Sequence, residues 1–212
     1  MSTRTLARRA ALAGVSLTAA LALAGCGGDH STGAGHGRPA AGSTGGTPAN
    51  ASTGVADADV MFAQMMIPHH QQAVRMSELA ESRARDPEVK QLAAQIKAAQ
   101  APEIATMTGW LTAWGRPVPS GSPADGHRPG GMDHGMPGMM SDADLVKLES
   151  AAGQEFDRQF LTMMIAHHEG AVSMARTEST DGAHPDARAL AERIVTGQQR
   201  EIDTMTRLLA RR

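Results

Sequence analysis

The sequence predicts an all-α protein, a four-helix bundle built from two repeated helical hairpins. The first observation is an internal repeat, in which His69 matches His167 and many flanking residues match at the same offset of 98. The second is apolar spacing of three and four residues within each repeat, which is typical of amphipathic helices. The third is composition: aromatic residues make up 2% of the chain and methionine occurs 14 times. This composition favours a helical bundle over a β-sandwich.

Residues 1–25 are predicted to be an export signal of the lipoprotein type. A basic start precedes the apolar run Ala10–Ala24, which is too short to span a bilayer as a stable helix. The run ends in Leu23-Ala24-Gly25-Cys26, which resembles the lipobox of bacterial lipoproteins. That resemblance implies a lipid on Cys26, anchorage to the membrane and an extracytoplasmic location. The alternative is an ordinary secreted protein in which this cysteine occurs by chance.

Residues 26–56 are predicted to combine the lipid anchor with a disordered linker. The segment 27–54 consists mostly of Gly, Ser, Thr, Ala and Pro, with almost no large apolar side chain. Such a segment cannot bury enough surface to become ordered. It therefore serves, in this interpretation, as a tether between the membrane and the bundle.

The first hairpin is predicted at residues 57–114. Its first helix begins near Asp57, and Pro68 is expected to kink it. A second helix begins at Asp86-Pro87, where Asp caps and Pro occupies the first turn, and it ends at Gly115. One face of the first helix carries Phe62, Met65, Met66, His69, Ala73, Met76 and Ala80.

The second hairpin is predicted at residues 142–212. A short helix capped at Ser141 or Asp142 precedes two long ones, at about 153–180 and 185–211. Each repeat alone is close to the lower size limit for an independent core. The two hairpins are therefore expected to bury their apolar faces against each other, which brings both histidine-bearing helices to one interior.

The repeated segment also carries the chemistry. Met65-Met66-Ile67-Pro68-His69-His70 returns as Met163-Met164-Ile165-Ala166-His167-His168. Imidazole and thioether are donors that copper accepts well, as Cu(I) or Cu(II). The di-iron signature Glu-x-x-His is absent before all four histidines, which argues for a softer metal than iron.

Glu103 and Glu201 lie on the apolar stripes of the second helix in each repeat. A carboxylate there is costly unless it is paired or bound to a metal. The expected partners are His69 and His167, and the glutamates could act as ligands or hold the imidazoles from behind. The alternative is a purely structural role, with buried His–Glu pairs fixing the bundle and methionines filling the core.

Residues 115–141, between the repeats, are predicted to be a disordered loop rich in Met and His. Exposed methionines have no packing reason to cluster there, so the loop is interpreted as an open metal trap, or else as a biased low-complexity linker. The candidate residues in it are Met132, His134, Met136, Met139 and Met140.

Several function classes are excluded by pattern. The net charge of −2 shows no excess of basic residues of the kind that nucleic-acid-binding proteins carry. No phosphate loop, nucleotide fingerprint or nucleophile triad occurs, so neither a nucleotide cofactor nor an enzymatic activity is expected.

The repeats resemble the bacterial family called domain of unknown function 305, which includes CopM-like periplasmic copper-binding proteins. The resemblance rests on Phe160–Met174, on its first-repeat counterpart, and on Gln-x-x-Glu-Ile-x-x-Met at Gln100–Met107 and Gln198–Met205. It implies a ferritin-like fold and copper binding by the matched histidines and methionines.

The resulting hypothesis is an extracytoplasmic copper-binding protein that buffers or sequesters copper, or confers resistance to it. His69 and His167 are assigned to direct binding, and His70 and His168 to a rim site or access point. The remaining candidate ligands are Met65, Met66, Met76, Met163, Met164, Met174, Glu103, Glu201 and the loop residues. The alternatives are a Cu(I) oxidase, and a metal-free lipoprotein that binds a protein partner; the sequence identifies no such partner.

Overall fold

The computed structural model describes residues 54–119 and 136–211. The predicted signal, Cys26, most of the tether, Met132 and His134 lie outside these residues, so their predictions stay as they are. In the described part, no helix is both long enough and apolar enough to cross a membrane.

Four long helices and one short helix make up the described chain. They are α1 (Asp57–Arg83), α2 (Pro87–Ala113), α3 (Asp142–Ser150), α4 (Gly153–Asp181) and α5 (Pro185–Leu209). The described residues form no strand, only an isolated bridge between Ala84 and Gly153. Helix α1 packs on α2, α4 packs on α5, and the two hairpins meet through α1 and α4. The predicted all-α architecture of two helical hairpins is confirmed.

The helix boundaries follow from local chemistry. The Asp86 carboxylate accepts a hydrogen bond from the Glu88 amide at 2.7 Å, and Pro87 begins α2 without needing an amide partner. Ser141 and Asp144 form a reciprocal capping box at the start of α3. Helix α1 runs unbroken through Pro68.

Two apolar clusters form the core. The first joins the C-terminal half of α1 to the N-terminal half of α4, and the second joins the opposite halves, so α1 and α4 run in opposite directions. The first cluster includes Ala73, Met76, Phe156, Phe160 and Met164, and the second includes Phe62, Met66, Ile67, Met107 and Ala171. Both His-His pairs fall between the segments that feed the two clusters.

Two buried aspartates tie the hairpins together. Asp59 of α1 accepts hydrogen bonds from the amides of Ala183 and His184, at 3.1 and 2.9 Å, in the turn between α4 and α5. Asp157 of α4 accepts from the amides of Arg85 and Asp86, at 3.0 and 3.2 Å, in the turn between α1 and α2. The offset of 98 relates the two aspartates, so each hairpin fixes the turn of the other.

Glu178 breaks this symmetry, because the matching position in the first repeat is Ala80. The Glu178 side chain is 1% exposed and lies against Asp59. Burial, followed by the nearby Asp59 carboxylate, raises the pKa of Glu178 to about 8. Burial opposes ionisation of Asp59 too, but hydrogen bonds from His184, Ala56 and Ala183 outweigh it and lower the pKa of Asp59. Near neutral pH, Glu178 therefore keeps its proton beside an ionised Asp59.

Glu178→Gln is expected to remove a decline in stability toward alkaline pH. The pKa of Glu178 rises from an ordinary 4.5 to about 8 on folding, so between these values the folded state keeps a proton that the unfolded state has released. Stability therefore falls as pH rises, at up to about 1.4 kcal/mol per pH unit. Glutamine is similar in size to glutamate and stays neutral at every pH, so it places no negative charge beside Asp59. Melting curves from pH 6 to 9 should diverge in favour of the variant, and parallel curves would contradict this account.

Candidate metal centre

The four histidines of the repeat meet inside the bundle. All four side chains are fully buried. The ring centroids of His69 and His167 lie 3.8 Å apart with the ring planes tilted by 41°, and those of His167 and His168 lie 6.4 Å apart. The shared interior expected from the repeat is therefore present, and its closest contact joins the two hairpins.

Each glutamate pairs with the second histidine of its repeat. The Nε2–H of His70 donates to Oε2 of Glu103 at 2.7 Å, and that of His168 donates to Oε2 of Glu201 at 2.7 Å. The prediction that His69 and His167 are the partners was wrong. Adjacent helix positions lie about 100° apart, so His69 faces the other hairpin while His70 faces α2 of its own.

A rim position for His70 and His168 was also wrong. Both side chains have no exposed surface, whereas the side chains of Glu103 and Glu201 are 22% and 21% exposed. The glutamates therefore lie on the solvent side of the pairs and the imidazoles on the inner side.

The hydrogen bonds occupy Nε2 of three of the rings and leave their Nδ1 atoms available to bind a metal ion. The Nε2–H of His69 donates to the backbone carbonyl of Pro137 at 3.0 Å, as those of His70 and His168 donate to the glutamates. In the neutral form each of these rings carries an unshared electron pair on Nδ1. Among the described residues, Nδ1 of all four histidines and Nε2 of His167 have no hydrogen-bond partner.

The central pair is held neutral. Burial, followed by the charge of His70, lowers the pKa of His69 to about 3. Burial, followed by the charge of His69, lowers the pKa of His167 well below its usual range. Neutral imidazole is the form that binds metal ions, so no proton has to leave either ring near neutral pH.

The methionines of the repeats occupy the core and its edge. Met66, Met76 and Met164 are fully buried in the apolar clusters. Met163 and Met174 are half-buried against the clusters, and Met65 is half-buried. Of these, Met66 and Met164 stand one helical turn before His69 and His167, on the same faces.

The end of the predicted disordered loop is ordered on the bundle. Residues 136–140, here called the cover segment, lie against α1 and α4. Gln72 of α1 donates from Nε2 to the Met140 carbonyl at 2.9 Å and accepts from the Met140 amide at 2.8 Å. The side chains of Met136, Met139 and Met140 are half-buried. Disorder was therefore the wrong prediction for this part of 115–141.

The cover segment depends on residues that the sequence did not single out. The contacts come from a backbone carbonyl, an amide side chain and two glycines, Gly138 and Gly170. One signal was available: Gln72 and Gly170 occupy matching positions of the repeat yet differ sharply in size.

The donor set fits a soft metal ion rather than a hard one. Across residues 54–119 and 136–211, no three His, Cys, Asp or Glu side chains converge as they stand to hold a metal ion. What converges instead is a pair of neutral imidazoles, with buried thioethers one turn away. A small set of nitrogen and sulfur ligands is suited to Cu(I). Mg²⁺, Ca²⁺ and a carboxylate-bound di-iron centre need more ligands, and mainly oxygen.

The sequence and fold were compared with known proteins. The family model DUF305, domain of unknown function, matches residues 59–209. A DUF305 protein from Streptomyces coelicolor, described as a candidate secreted protein, is 38% identical; 73% of this chain and 93% of that chain align, with a TM-score of 0.64. No curated protein matches the sequence.

The chain is also similar to CopM, solved with copper in both oxidation states. The Cu(II)-bound form is 38% identical over 72% of this chain and 96% of that chain, with a TM-score of 0.61. The Cu(I)-bound form is 35% identical over the same shares, with a TM-score of 0.59.

Proposed function

The chain belongs to the DUF305 family, and from this premise we propose that it binds copper at the buried histidine pair and holds it for buffering or sequestration. The observation that carries the proposal is the contact between His69 and His167, whose neutral rings have Nδ1 atoms without a hydrogen-bond partner in the described chain. Its similarity to CopM, solved with Cu(I) and with Cu(II), supports copper as the ion.

In this proposal Nδ1 of His69 and of His167 bind the ion directly. Met66 and Met164 are the nearest thioethers by helical spacing, and they complete a mixed nitrogen and sulfur set. Glu103 and Glu201 hold the protons of His70 and His168 on Nε2, which leaves the Nδ1 atoms of these rings available to the same ion as additional ligands.

The cellular setting is also proposed. The predicted signal and Cys26 support export and lipid anchorage outside the cytoplasm, and a relative described as a candidate secreted protein agrees with export. The anchored bundle would intercept copper ions before they reach the membrane. The segment around Met132 and His134 would assist capture.

Copper titration of the purified protein tests the function. We expect a colorimetric Cu(I) chelator to lose copper to the protein, and metal analysis to show copper retained after gel filtration. A sample isolated without added copper provides the baseline. Failure to retain Cu(I) or Cu(II) above that baseline would refute the proposal and favour a structural role for the His–Glu pairs.

We propose binding without turnover. A Cu(I) oxidase would consume oxygen steadily when Cu(I) is supplied in excess. An oxygen electrode should therefore record no sustained protein-dependent oxygen consumption. Any oxygen consumed should not exceed the amount needed to oxidise the copper that is bound to the protein. Sustained consumption would replace the storage proposal with the oxidase alternative.

A further inference from the structure

We propose that the cover segment, residues 136–140, is a detachable lid that controls access from solvent to His69 and His167. This inference rests on the proposed function only for the identity of the ion admitted. The lid itself is a property of the fold and can be tested without metal.

The lid is fastened to α1 by polar contacts. The Pro137 carbonyl accepts the Nε2–H of His69 at 3.0 Å, and Gln72 makes two hydrogen bonds to the Met140 backbone. Gln72 is 1% exposed, so these bonds are shielded from water. The segment therefore sits directly against one ring of the central pair.

Two glycines make the close fit possible. Gly138 has φ of +78°, a left-handed conformation that favours glycine, and it packs on the backbone of α4 near the His167 carbonyl. A Cβ at Gly170 would overlap the Pro137 carbonyl. A helix residue with any side chain at position 170 would thus force the segment away.

The repeat has diverged where the lid is held. Gln72 and Gly170 occupy equivalent positions of the repeat, at the offset of 98. Gln72 forms hydrogen bonds with the segment, whereas Gly170 lacks the side chain that would overlap it. Neither residue is explained by helix packing alone: glutamine at 72 is a buried polar group, and glycine at 170 weakens a helix interior. The lid accounts for both.

Metal binding and lid opening are coupled through His69. With ring centroids 3.8 Å apart, the two tilted rings lie too close together to bind one ion between them at nitrogen–metal distances of about 2 Å. The His69 ring must therefore turn, and the turn disturbs the hydrogen bond from its Nε2–H to the Pro137 carbonyl. Linkage then requires that a bound ion loosens the lid and that a loosened lid favours the ion by the same factor.

The test uses two lid variants and one matched control. Gly170→Ala displaces the lid by steric overlap, although alanine favours the helix more than glycine does. Gln72→Ala removes the two hydrogen bonds to the Met140 backbone. Gly197→Ala is the control: it is a helical glycine with no atom near its added Cβ, and the first repeat has Ala99 there.

The metal-free readout is acylation of His69 and His167 by diethyl pyrocarbonate, followed by peptide mass spectrometry. Losing the two Gln72 bonds should raise the rate about tenfold, since each contributes a typical net hydrogen-bond energy. Gly170→Ala should raise it at least as much, and Gly197→Ala should leave it unchanged. Equal rates in all four proteins would overturn the lid, and if Gly170→Ala fails to fold, Gln72→Ala decides.

The second readout separates the lid from the function. Cu(I) transfer from a coloured chelator complex should accelerate in the same two variants and not in the control. If neither the wild-type protein nor any variant takes up Cu(I), but acylation is faster in the two lid variants, the copper proposal fails and the lid proposal stands. If Cu(I) binds at one rate in all variants and acylation is also unchanged, the lid fails and the copper proposal stands.

Discussion

Replacing His69 and His167 together by alanine is expected to weaken Cu(I) binding at least about tenfold, and more than loss of either glutamate, because a ligand contributes more than the group that orients it. The two rings are the closest pair in the site and are neutral. Competition with a colorimetric Cu(I) chelator measures the change.

The control for this pair is His184→Ala. His184 is half-buried beside Trp114, with ring centroids 5.1 Å apart, and it lies outside the histidine cluster. Its removal should leave Cu(I) affinity as it is. If the double variant still unfolds in a cooperative thermal transition and its titration curves are unchanged, His69 and His167 are not part of the proposed site.

Glu103→Ala and Glu201→Ala are each expected to weaken Cu(I) binding by about tenfold, the lower end of the range typical of losing a partner that orients a metal-binding imidazole. Each change also leaves a buried Nε2–H without its 2.7 Å acceptor, which costs about 1–3 kcal/mol of stability. Affinity and thermal unfolding should be measured on the same samples.

Glutamine at the same positions tells orientation from direct binding. Glu103→Gln and Glu201→Gln keep an oxygen that can accept the imidazole proton but remove the negative charge. If the glutamates only orient His70 and His168, the glutamine variants should retain most of the affinity. Glutamine variants as weak as the alanine variants would instead make the carboxylates ligands of the ion.

The sequence predicted the helices and the meeting of the repeats, because apolar periodicity and a fixed offset of 98 constrain which faces are buried. It also predicted that Glu103 and Glu201 would find histidine partners. It did not predict which histidines, since neighbouring helix positions differ by about 100° and helix rotation is set by packing of whole faces. Rotating the helix by about 100°, the angle between adjacent residues, would put His70 in the direction that His69 faces.

The lid was beyond prediction for a different reason. Its contacts use the Pro137 carbonyl and the Met140 backbone, groups that every residue possesses and that no motif marks. Composition around residues 136–140 indicated only a disordered loop rich in Met and His. Comparing Gln72 with Gly170 across the repeat shows where such a segment can attach, but only once the fold brings α1 and α4 together.

The central claim is that Nδ1 of His69 and of His167 bind a soft ion inside the bundle. Long-range proton–nitrogen NMR spectra of the imidazoles, recorded during titration with Ag(I) as a redox-inert substitute for Cu(I), test it most directly. The account predicts that the Nδ1 resonances of His69 and His167 shift while His70 and His168 keep their protons on Nε2. Saturation with Ag(I) that leaves the His69 and His167 resonances in place would contradict it.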